Sequence, residues 1–139
     1  MEREISSAAS FINLDLELTY SGSLNPLVSY FGNKVFVLFN GENEVGNLLC
    51  VEPLFEGNLG SSMENCVNHF VQLIKGLPPE LAEIWALCGT RVFDFGFEGG
   101  YEQPPFQASF SSATLREISK LNIEIRITIY PFSEGSEIN

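Results

Sequence analysis

The chain has 139 residues, 18 acidic and seven basic side chains, one histidine and a formal net charge of -11. That length fits one domain, and 45% hydrophobic residues with twelve Phe exclude intrinsic disorder. The acidity argues against nucleic-acid backbones and other phosphate-rich partners, and it leaves few of the side chains that enzymes commonly use.

Residues 1–9 read as a loose arm. From Phe11 to Tyr20 apolar residues alternate with polar ones, with Ile12, Leu14, Leu16 and Leu18 on one face and Asn13, Asp15, Glu17 and Thr19 on the other. Period two is the mark of a half-buried strand. Ser21-Gly22-Ser23 breaks it. Leu24, Leu27, Val28 and Phe31 then space as a short helix that stops at Gly32-Asn33, with Pro26 tolerated in the first turn. Residues 34–39 (KVFVLF) are apolar on both faces and predict a central strand. Asn40-Gly41 predicts a turn. Residues 47–55 predict a third strand, which Pro53 moves toward an edge.

Ser62 opens a helix with an apolar stripe of Met63, Cys66, Val67, Phe70, Val71 and Ile74, ended by Gly76. Pro78-Pro79 starts another, with Leu81, Ile84, Trp85 and Cys88 on one side. Residues 91–97 alternate again, with Phe93, Phe95 and Phe97 inward and Val92, Asp94 and Glu98 outward. A Gly-rich loop follows. Phe106, Ala108 and Phe110 predict a fifth strand, and Leu115, Ile118 and Leu121 a short helix. Ile123, Ile125, Ile127 and Ile129 predict the last strand, ended by Pro131, with 132–139 as a frayed tail.

The predicted order is β-α-β-β-α-α-β-β-α-β. Single-striped helices and two-faced strands fit an α+β two-layer sandwich, with helices on one face of a mixed, mostly antiparallel sheet. The first βαββαβ run, with its two adjacent helices taken together, is compatible with a ferredoxin-like core, and a C-terminal β-α-β extension follows it. Units 11–39 and 106–130 look alike, as a weak internal duplication would, but strand–helix–strand units also look alike for purely structural reasons.

The cysteines number three, and no secretory leader, glycosylation acceptor or stretch of about 18 apolar residues is visible. A reducing, cytoplasmic setting is expected. Cys50, Cys66, His69 and Cys88 have the chemistry of a zinc set but lack a Cys-x-x-Cys knuckle, and two of them belong to apolar stripes. No metal and no cofactor are expected. A nucleophile activated by histidine would have to use His69, beside a stripe thiol poorly placed for substrate. Residues 40–44 lack the ligand spacing of a calcium loop. Glu98 and Glu102 oppose a phosphate in the glycine-rich stretch 95–101.

One surface remains. Asp15, Glu17, Asp94 and Glu98 project from the outer sheet face together with Arg126. Phe36, Leu38 and Tyr101 are the candidate apolar anchors.

The LDLEL strand with Leu24-Asn25-Pro26-Leu27-Val28, then KVFVLF, LPPE at 77–80, RVFDFG at 91–96 and the closing Ser112–Tyr130 unit make a recognisable order. In that order the chain resembles a family of small bacterial proteins grouped only as a domain of unknown function. The resemblance spans 11–130. It implies a small α/β domain and brings no catalytic residues.

The expected function is therefore a non-enzymatic protein-interaction module, in the manner of an immunity protein or antitoxin, that masks a basic protein partner. The alternative is a regulatory domain that binds a small molecule as a homodimer. Nucleic acid and membrane are not expected partners, and the chain is expected as a monomer or homodimer.

Overall fold

The computed structural model describes residues 10–100 and 105–131. The chain runs β1 (Ser10–Tyr20), α1 (Asn25–Phe31), β2 (Val35–Asn43), β3 (Gly46–Pro53), α2 (Met63–Lys75), α3 (Pro79–Leu87), β4 (Thr90–Glu98), α4 (Ser112–Lys120) and β5 (Glu124–Tyr130). Short 3-10 turns at Gly32–Lys34 and Leu59–Ser61 precede β2 and α2. The strands form one sheet in the order β2-β3-β1-β4-β5. All neighbours are antiparallel except β4 and β5, which are parallel. The result is an α+β two-layer sandwich. β3 fills the slot between β1 and β2, and β1 fills the slot between β3 and β4, the interlocked split βαβ arrangement of the predicted core.

The local signals explain the helices. In α1, proline occupies the first turn, and Gly32 ends the helix at φ 53°. Ser62 caps α2, its Oγ accepting from the Asn65 N–H at 3.2 Å. Ser111 caps α4 in the same way, at 3.0 Å from the Thr114 N–H. The buried stripe of α2 (Cys66, Val67, Phe70, Val71, Ile74) lies over Leu14, Leu16, Leu18, Leu49 and Val51 of the sheet. Phe70, Phe93 and Phe95 stack through the centre, with ring centroids 5.6 and 6.1 Å apart.

Several expectations need correction. Residues 106–110 are not a strand. The place beside β4 is taken by β5 in parallel register, so this segment does not pair with β4. Its alternating Phe side chains pack on the inner face of β4 instead, Phe106 against Phe97 at 5.5 Å and Phe110 against Phe95 at 4.8 Å. The extension is thus α-β, and units 11–39 and 106–130 do not share a strand–helix–strand build.

The roles of β2 and β3 are exchanged. β2 is an edge strand, and its Phe36, Val37, Leu38 and Phe39 are exposed. β3 is internal, because Pro53 sits at its last residue, where its missing N–H removes no interior ladder bond. Asn40-Gly41 continues β2 rather than turning. The hairpin closes at Glu44–Val45, where Asn43 Oδ1 accepts from the Val45 N–H at 3.0 Å. In α4 the buried side chains are Thr114 and Ile118, while Leu115 is exposed. The first and last residues read as an arm and a tail, 1–9 and 132–139, lie outside the described residues. No helix among the described residues is long and apolar enough to cross a membrane.

Candidate functional site: the outer sheet face

Strand alternation and register determine which side chains share the face away from the helices. On β1 the bulge between Phe11 and Asn13 sets the phase, so Asn13, Asp15, Glu17 and Thr19 point outward while Leu14, Leu16 and Leu18 are fully buried. Asp15 stands directly opposite Asp94 on β4, and Asp94 directly opposite Arg126 on β5. Glu17 is opposite both Cys50 on β3 and Val92 on β4. Glu52 belongs to the same face of β3 and pairs with Phe36 of β2. A second bulge, between Val37 and Phe39, brings Phe39 opposite Cys50. Two rows therefore cross the sheet. One runs Phe36, Glu52, Asp15, Asp94, Arg126, and the next runs Phe39, Cys50, Glu17, Val92, Glu124.

The side chains are coupled. Arg126 Nη1 reaches Glu17 Oε2 at 2.9 Å and Asp94 Oδ2 at 3.3 Å. Thr128 Oγ1 donates to Asp94 Oδ1 at 2.7 Å. Asn13 Nδ2 donates to Glu52 Oε2 at 3.5 Å. Gly96 makes room for Asn13, whose Oδ1 would lie 2.5 Å from a Cβ at that position. Asp15 is treated differently. Its Oδ1 is buried and has no hydrogen-bond partner among the described residues. Burial, reinforced by Glu52, Asp94 and Glu17, pushes its carboxyl up to about 6. Burial and then the same carboxylates, Asp15 foremost, push the Cys50 thiol up to about 12. The Arg126 guanidinium is raised in turn, chiefly by its hydrogen bond to Glu17.

Of the residues picked out in the sequence, Asp15, Glu17, Asp94 and Arg126 come together, with Phe36 in the same row. Glu98 shares their face but sits at the end of β4, opposite Ser10 and Tyr130, away from the cluster. Leu38 lies in the β2 bulge, outside the regular alternation that carries Phe36 and Phe39. Tyr101 lies outside the described residues. The carboxylates hold the centre, and Phe36 and Phe39, 52% and 46% exposed, flank it on the β2 side.

Glu52, Cys50 and Phe39 were missed. Alternation within β3, with Leu49 and Val51 buried, would have placed Glu52 and Cys50 outward. The bulge that turns Phe39 outward leaves no mark in the residue types. The four side chains with zinc chemistry are dispersed. Cys50 is on the outer face, Cys66 Sγ faces Gly60 O at 3.4 Å, Cys88 Sγ faces Ile84 O at 3.3 Å, and His69 Nε2 donates to Lys34 O at 2.7 Å. Among the described residues, no three His, Cys, Asp or Glu side chains converge as a metal site.

No family model matches the chain, and no curated protein or solved structure matches it.

Proposed function

We propose that the outer sheet face is a non-enzymatic docking surface for a basic protein partner, of the kind an immunity protein or antitoxin presents. The supporting observation is the row Glu52, Asp15, Asp94, with Glu17 beside it and Arg126 reaching Asp94 and Glu17. Like charges directly opposite on neighbouring strands destabilise a sheet. A lysine or arginine set between them removes that penalty, so the partner supplies what the free chain lacks. Charge of this kind speeds association and sharpens selectivity. Phe36 and Phe39 beside the cluster supply apolar contact.

The test is a titration of the labelled protein with an arginine-rich peptide, followed by amide NMR. Saturable shifts in β1, β4 and β5, weakened about tenfold or more between 50 and 300 mM salt, support the reading. They should also weaken in Glu17→Gln. Shifts confined to other surfaces, or unaffected by salt, overturn it.

A further inference from the structure

A second stripe runs along α2 beside its core stripe. Asn65, Asn68, His69 and Gln72 fall at i, i+3, i+4 and i+7, one helix flank composed of uncharged hydrogen-bonding side chains. On a chain with 18 acidic residues, such a neutral stripe is distinctive. It forms one wall of an open cleft of about 420 Å³, lined also by Lys34, Phe55, Leu59, Tyr30 and Leu73. That volume lies within the roughly 300–1,000 Å³ of small-molecule sites.

The walls are tied together. Tyr30 Oη donates to Leu73 O at 2.7 Å, and Asn65 Nδ2 donates to Leu59 O at 3.2 Å. The His69 ring holds Lys34 O and meets Phe55 edge-on at 4.7 Å. Thus His69, Tyr30 and Asn65 maintain the cleft, while the exposed side chains of Lys34, Asn68 and Gln72 remain to meet an occupant. Among the described residues the lining contains no carboxylate, and its charged side chain is Lys34. Apolar surface comes from Phe55 and Leu59.

We propose that this cleft binds a small organic carboxylate with a flat apolar body, its carboxylate on Lys34 and the Asn68 and Gln72 amides and its body against Phe55. Ammonium and amide donors match a carboxylate's acceptor-only chemistry. An organic cation would find no counter-charge among the lining residues. The site lies on the helix layer, so it neither requires nor contradicts docking on the outer sheet face.

The probes are sodium benzoate and its neutral analogue benzamide, titrated into labelled protein at pH 7 and followed by the side-chain amide signals of Asn68 and Gln72. Benzoate should give saturable shifts with a Kd of about 1–10 mM, the range for nine heavy atoms at modest efficiency. Benzamide should bind at least about fivefold more weakly, the discrimination expected of one charge-assisted contact. Lys34→Met should remove most of that preference. Gln72→Glu, an exposed helix position, should weaken benzoate alone through like-charge repulsion, giving a second variant independent of Lys34. Four results would overturn the proposal: no saturable shift, equal binding of benzamide, shifts elsewhere on the protein, or a benzoate preference that survives in folded Lys34→Met.

Discussion

Asp15 and Asp94 stand directly opposite each other across β1 and β4, and only one of them is compensated. Asp94 accepts from Thr128 and Arg126, whereas Asp15 Oδ1 is buried without a partner among the described residues. The sheet thus holds a carboxylate whose ionisation opposes folding.

That asymmetry predicts a pH-dependent gain on removing the charge. The Asp15 carboxyl is raised from 3.8 to about 6, so the folded chain binds its proton more tightly than the unfolded chain does. The penalty is absent below the ordinary value, grows as pH rises toward 6, and is complete above it. Asp15→Asn should stabilise the protein by about 1–2 kcal/mol at pH 7, after discounting for solvent screening, and by almost nothing near pH 4. Urea denaturation at the two pH values measures this. An equal gain at both would show that charge is not the cause.

The same cluster should protect Cys50. The thiolate is the reactive species, and burial with the surrounding carboxylates pushes this thiol up to about 12. Iodoacetamide at pH 8 should alkylate Cys50 at least ~50-fold more slowly than a free thiol. Asp15→Asn should recover part of the rate. Rapid labelling of the folded protein would contradict the electrostatics assigned to this face.

Arg91 should prove structural. Its Nη1 donates to Trp85 O at 2.9 Å and Cys88 O at 3.0 Å, and its Nε to Asn122 O at 2.9 Å. It therefore closes the C-terminal end of α3 and ties it to the α4–β5 turn, where carbonyls and helix dipole both favour a cation. Arg91→Lys keeps the charge but loses the planar fork, and should cost about 1–2 kcal/mol in thermal or chemical denaturation.

Two glycines with left-handed backbones should behave differently. Gly46, at φ 129°, lies where a Cβ would be 2.7 Å from Tyr20 O, while Gly57, at φ 69°, has nothing within 4 Å of that position. Gly46→Ala should destabilise by about 2–4 kcal/mol and Gly57→Ala by about 1 kcal/mol. Comparable losses would mean that backbone strain alone, without the contact to β1, determines both.

Much of this fold follows from period and punctuation. β1, β4 and all four helices lie where alternation, single apolar stripes, serine caps and prolines place them, because those signals act over one or two turns of chain. Asp15, Glu17, Asp94 and Arg126 share a face for the same reason. Lateral placement is another matter. The apolar run of β2 and the Pro53 of β3 carry no information about which strand lies at the edge, and the Phe pattern of 106–110 is met equally by pairing or by stacking on β4.

The sequence by itself determined that the chain is an acidic α+β domain with one carboxylate-bearing sheet face, since alternation is a property of neighbouring residues. Only the tertiary structure decided that Asp15 faces Asp94 with Glu52 and Cys50 alongside, that Phe39 rather than Leu38 joins them, and that α2's neutral flank lines a cleft with Lys34. Those facts depend on strand order, on two β-bulges and on contacts between distant segments, and a bulge of one residue reverses every side chain beyond it.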